Sequence, residues 1–212
     1  LFVAVKTVLN WIPSAVLRPP PLLEPRARRF VGLALLGQLI NGGAWITYFL
    51  ALSRGPAALV GSITAAYTVI PVVVALVLLR ERLAPRALVG VALIIAAAVL
   101  LGYGVGGGGA AQGGWLALSL VTLVLWGVAT SLFKVAYNQE GAEDARFFVL
   151  NWLASLLTLL PYGLYEVSQS AGGPSSAAVL LGGLAIVLLY GVGDLALFAA
   201  LRRGPASLVS PL

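Results

Sequence analysis

Long apolar runs, each bounded by a short charged or Pro/Gly-rich connection, recur along this whole 212-residue chain. They cover about residues 30–53, 57–79, 86–103, 115–136, 146–165 and 177–201, and another begins at 205. About 17–25 apolar residues is the length of helix that crosses the hydrocarbon core of a bilayer. Backbone groups in lipid must be satisfied within the protein, which leaves helices or closed barrels. Barrel strands would read as alternating segments of about ten residues, and none is present. The pattern predicts an all-α, polytopic membrane helical bundle. Composition agrees: the chain is 60% hydrophobic and 9% charged, whereas a soluble domain is about a quarter charged.

Composition also excludes chemistry. There is no cysteine and no histidine, which removes disulfides, thiolate metal sites and the commonest general base. No metal and no cofactor is expected. The net charge is +6, but the basic residues sit between apolar runs, where the positive-inside rule accounts for them better than nucleic acid does. Methionine is absent and the chain opens on Leu1. The expectation is a fragment cut at both ends, without a cleavable signal peptide.

One phrase occurs twice. YFLALSRGPAALV at 48–60 returns as LFAALRRGPASLV at 197–209, matching Arg54-Gly55-Pro56 to Arg203-Gly204-Pro205 at an offset of 149 residues. That is too long for a solenoid repeat, and it suits one half of a duplicated transporter. Each Gly-Pro reads as a tight hairpin, with glycine ending one helix in the left-handed conformation and proline starting the next. The uncharged GVGGGGAAQGG at 104–114 reads as a flexible linker between a first repeat at 1–103 and a second at 115–212.

Charge sets an orientation. Loops 18–29 and 80–86, Lys134, Arg146, Arg202 and Arg203 fall on the cytoplasmic side, and Arg54 falls outside. The two Arg-Gly-Pro turns then lie on opposite faces, so the halves are inverted copies with an odd number of spans each. Phe133-Lys134 corresponds to Val5-Lys6 at an offset of 128, not 149. The first repeat is therefore short by about one helix, near Pro13–Pro21.

With the duplicated AL-x-R-G-PA turn, the inverted halves and the Glu81-Arg82-Leu83 loop, the chain resembles the EamA-type transporters of the drug/metabolite transporter superfamily. The resemblance implies two inverted five-helix repeats, here with the first incomplete and the second truncated. It also implies movement of small metabolites or drugs across the plasma membrane.

Site residues follow from helical spacing. Gln38, Asn41, Trp45 and Tyr48 recur three, four and three apart, on one face of a span. Polar groups at bilayer depth are costly unless they face protein or a water-filled cavity. They read either as a cavity wall or as interhelical bonds of about 1 kcal/mol each. The 149 offset maps Asn41 to Tyr190 and Trp45 to Asp194, the one acidic residue well inside a predicted span. Asp194 reads as a substrate or proton group, with a carboxyl raised by desolvation, or as a structural partner of a basic residue. Thr64, Tyr67 or Thr68, and Pro71 share a face of the 57–79 span, where Pro71 is expected to kink the helix and free the Tyr67 carbonyl.

Other charges and aromatics have blander readings. Lys134 is expected to snorkel to the interface, and Trp11, Tyr103, Trp115, Tyr162 and Tyr165 to anchor there. Glu140, Glu143 and Asp144 form an acidic loop expected to be solvated.

Three functions are weighed. A secondary transporter moves small organic solutes by alternating access, with the site between inverted halves. A truncated membrane protein transports nothing. An intramembrane enzyme lacks the clustered acid, base or nucleophile it needs. The first is the expectation, with a small-molecule substrate, the bilayer as surroundings, no nucleic acid, and a homodimer left open. Proton coupling is a hypothesis resting on Asp194. Richness in Ala, Leu, Val, Gly and Arg points to a bacterial cell membrane.

Overall fold

A computed structural model describes residues 20–77 except 23, residues 113–169, and isolated positions between 89 and 203. A 3-10 turn at Pro25–Ala27 leads into α1, Arg28–Leu52. Helix α2, Ala57–Ala65, passes through a 3-10 turn at Ala66–Thr68 into α3, Val69–Val77. Helices α4, Gly113–Tyr137, and α5, Asp144–Gln169, complete the described elements, which include no strand.

Among the described residues, four helical stretches are long and apolar enough to cross a membrane: Pro25–Leu52, Ala57–Ala75, Gly114–Tyr137 and Asp144–Glu166. The protein is an all-α membrane bundle. These match four predicted runs, each within a few residues at either end. The runs at 86–103 and 177–201 lie largely outside the described residues.

The bundle is apolar outside and partly polar within. Leu120, Val121, Val124 and Val128 face outward from α4, as Leu157 and Leu164 do from α5. Gln38, Thr64, Ser119, Thr122, Thr130, Asn151 and Ser155 are buried. Lipid is as apolar as leucine, so helices in it associate through small residues, close packing and interhelical hydrogen bonds.

Helix α1 lies between α4 and α5, and α4 packs on its other side against α2, the 3-10 turn and α3. The α1–α4 pair is antiparallel: Phe30 meets Tyr137, Trp45 meets Trp126, and Thr47 meets Thr122. Helix α5 runs parallel to α1, with Glu24 against Arg146 and Phe49 against Tyr162. The start of α1, the end of α4 and the start of α5 therefore share one end of the bundle, which carries most of the charge. The Arg54-Gly55-Pro56 turn is at the other end.

The Arg54-Gly55-Pro56 turn differs from expectation, while Gly204-Pro205 lies outside the described residues. Gly55 is not left-handed; among the described residues only Gly141 has a positive φ, of 72°. Gly55 is needed for close approach, because a Cβ there would fall 2.5 Å from Trp115 Cγ. Trp115 is 2% exposed, packed with Ala51, Val60 and Ile63, and so is a buried wedge and not an interface anchor. Bulky indole against bare backbone is how the α1–α2 hairpin is fastened to α4.

The Pro71 region also differs. The irregularity sits one turn upstream, at Ala66–Thr68, where the Val69 N–H turns back to the Ala66 carbonyl. Proline lacks an N–H and crowds the carbonyl four residues before it. The chain tightens ahead of Pro71, which becomes the third residue of a fresh helix, where a missing donor costs little.

Candidate functional site

Midway along α1, Gln38 is 2% exposed, and neither its amide nitrogen nor its amide oxygen has a hydrogen-bond partner among the described residues. It lies ten residues from the start and fourteen from the end of α1, in a stretch long and apolar enough to cross a membrane. A buried amide left unsatisfied costs about 1–3 kcal/mol. Asn41, one turn on, is half-buried.

Next along this face is an aromatic cluster centred on Trp126 of α4. Trp45 meets its ring edge-on at a centroid distance of 5.2 Å, Tyr48 lies at 5.1 Å, and Tyr67 approaches at 5.8 Å from the 3-10 turn. Trp45 also touches Tyr48 and Phe49, and Phe49 stacks on Tyr162 of α5 at 6.4 Å. The break in α2–α3 thus brings Tyr67 to a tryptophan on another helix. Such edge-on and offset contacts add about 0.5–1.5 kcal/mol each to burial.

The structure brings together Trp45, Tyr48 and Tyr67 of the predicted residues. It does not add Thr64 and Thr68 to the cluster as free polar groups. The Thr64 hydroxyl donates to the Val60 carbonyl at 2.8 Å, and the Thr68 hydroxyl to that of Ala65 at 3.4 Å. Pro71 is buried and acts through the backbone before it. Tyr190 and Asp194 lie outside the described residues.

Trp126 was missed by sequence reasoning, although a signal existed. Ser119, Thr122, Trp126 and Thr130 recur three, four and four apart on α4. The hydroxyls of Ser119, Thr122 and Thr130 bond back to carbonyls one turn earlier, at 2.8, 2.8 and 2.9 Å. Thr122 also meets Thr47 of α1 at 2.8 Å. These bonds satisfy the α4 stripe locally, whereas both polar atoms of the Gln38 amide on α1 lack a partner among the described residues.

The charged end is built differently. Arg146 is 2% exposed, donating from one terminal nitrogen to the Glu24 carboxylate and from the other to the Gly141 carbonyl at 2.7 Å. Glu24 also pairs with Arg26. Gly141 is left-handed, and a Cβ there would lie 2.8 Å from Ala27 Cβ, so the α4–α5 loop seats directly on the turn before α1. Beneath it pack Phe30, Phe133, Tyr137 and Phe147. Lys134 is buried by this packing and does not snorkel. Of the acidic loop, Glu140 and Glu143 are exposed as expected, and Asp144 opens α5 at the surface, where Arg202 donates to it at 2.8 Å.

Burial pushes the Glu24 carboxyl up, but hydrogen bonds and positive charge from Arg146 and Arg26 outweigh it and hold the carboxyl below its ordinary 4.5.

A helical bundle with four stretches able to cross a membrane, a buried polar stripe and an aromatic cluster is a polytopic membrane protein. Residues 2–103 match the model of the EamA-like transporter family. No match was found among curated proteins. Members of the family are transporters, not enzymes.

Proposed function

We propose that this protein is a secondary transporter moving small organic metabolites or drugs across a bacterial plasma membrane by alternating access. The substrate sits near mid-membrane between two inverted repeats, 1–103 and 115–212, joined by the 104–114 linker. The observation that carries this reading is the Gln38 amide, buried within α1 without a partner among the described residues, beside the Trp45–Trp126 cluster. Intramembrane polar groups of this kind mark substrate pathways. Ligand sites elsewhere have the same make-up, mostly apolar and aromatic walls with a few placed polar groups. Gln38, Asn41, Trp45, Tyr48, Tyr67 and Trp126 form the wall from the first half and α4. Tyr190 and Asp194 complete it from the second half, with Asp194 binding a cationic group or exchanging a proton.

Uptake and efflux of a panel of amino acids and cationic drugs, in cells expressing the protein, tests this. At least one compound should move, Trp126→Ala should abolish its movement while the variant still reaches the membrane, and Asp194→Asn should abolish proton-gradient dependence. A panel that stays still in both directions counts against transport. Movement untouched by Trp126→Ala places the site elsewhere.

A further inference from the structure

We infer that Glu24 and Arg146 form an ionic latch that holds the charged end of the bundle shut and parts when the site opens to that side. The inference rests on the transport reading, and it concerns how the site is gated.

The two residues are 122 positions apart, one in each proposed repeat. The neighbouring Asp144–Arg202 pair lies wholly within 115–212 and ties that half to itself. Glu24–Arg146, by contrast, bridges the two proposed halves. Inverted-repeat transporters work by rocking one unit against the other around a fixed site, and a bridge between units must break on one side of each cycle.

Each partner is equipped to survive that break. When Glu24 departs, Arg146 keeps the Gly141 carbonyl, which belongs to its own half. When Arg146 departs, Glu24 keeps Arg26, two residues away on its own segment. A buried guanidinium stripped of every partner would be prohibitively costly. A permanent strut needs no such reserve, whereas a bond that opens repeatedly does.

The packing below the latch is divided along the same line. Phe30 and Ala27 lie on the Glu24 side, against Tyr137 and Gly141 on the Arg146 side. Parting the latch and sliding Ala27 off Gly141 opens a path toward Gln38. Phe133 on Phe147 at 5.0 Å and Tyr137 on Phe147 at 5.1 Å are contacts within the second half, and Phe133 also meets Gly37 across the line, a contact that must slide as the latch parts.

The chain contains no cysteine, so spin labels can be placed without background. Arg29→Cys and Glu140→Cys put labels on exposed positions on either side of the latch. Their distance distribution is read by pulsed electron paramagnetic resonance in liposomes. The intact latch should give mainly a short distance. Glu24→Gln should raise a longer-distance population several-fold, and the charge swap Glu24→Arg with Arg146→Glu should restore the short one. A distribution unmoved by Glu24→Gln overturns the latch, as does a swap that stays open. Glu24 is partly solvent-accessible, so Glu24→Gln keeps the test valid if the swap carrying Arg146→Glu fails to fold. Solute movement with unresponsive distances counts against the latch. Responsive distances with no compound moving count against transport.

Discussion

Gly42 of α1 lies directly against Thr158 of α5: a Cβ built on Gly42 would fall 2.1 Å from the Thr158 hydroxyl and 2.7 Å from its Cβ. The contact is close to the α5 backbone, so a side-chain rotation alone does not relieve it. Gly43, the next residue, has nothing within 4 Å of its virtual Cβ. Two adjacent glycines thus sit in opposite environments. Gly42→Ala should destabilise the bundle by about 1–3 kcal/mol through overpacking. Gly43→Ala should be neutral or stabilising by up to about 1 kcal/mol, from helix propensity. Thermal unfolding of both variants in detergent checks this, and equal effects would dismiss the close approach as the cause.

Gly55 and Trp115 make a second such pair, at the opposite end of the bundle. The Gly55 backbone is one that alanine can adopt, so any cost of Gly55→Ala comes from the indole alone. Gly55→Ala should cost about 1–3 kcal/mol, and Trp115→Ala about 3–5 kcal/mol. In the double variant the alanine methyl meets no ring, so the combined loss should fall short of the sum by 1 kcal/mol or more. Strict additivity in the cycle would contradict the wedge.

Much of this architecture is legible in the sequence because lipid imposes a simple rule on length and polarity. The runs at 30–53 and 115–136 become α1 and α4 with ends shifted by two residues or fewer. Spacing of three and four residues also identifies the face carrying Gln38, Trp45 and Tyr48. What spacing cannot supply is the partner across the interface. Trp126 belongs to the cluster because antiparallel α1 and α4 bring it level with Trp45, and that register appears only on packing. Arg146 illustrates the same limit. By charge count it is one more residue at a membrane boundary, yet Glu24, 122 positions away, allows it to be buried. Gly55 was assigned to turn geometry, while its actual constraint is an indole from another helix.

Glu24 has a pH dependence whose direction follows from its lowered carboxyl. A carboxyl held below its unfolded value contributes stability that is fully present above that value, and loses it as pH falls through the folded one. The ordinary value is 4.5 and the folded one lies beneath it. Closure of the charged end should therefore be unchanged between about pH 8 and pH 5, weakening only in more acid solution. The Arg29/Glu140 label distances, followed over that range, should stay short and lengthen only below it. The Glu24→Gln variant should show no such transition of its own. Opening near neutral pH would mean that a different group controls this end.

Gln38 allows stability and function to be pulled apart. Its amide is buried with both polar atoms unpaired among the described residues, which is unfavourable in the empty protein. Replacing it by leucine, of similar volume, removes the unmet polar group without opening a large cavity. Gln38→Leu should raise stability by about 1–3 kcal/mol. If the amide is held for a substrate, the same change should lower transport at least tenfold, because a group that gains its partner only on binding supplies both affinity and specificity. Stability–activity opposition of this sort is expected where a site keeps strain or unmet polarity for its ligand. Unfolding in detergent and uptake in proteoliposomes, measured on one preparation, give the two readouts. A gain in stability with transport unchanged would make Gln38 a bystander and move the site toward Trp126. A loss of stability would mean that the amide is already satisfied and structural.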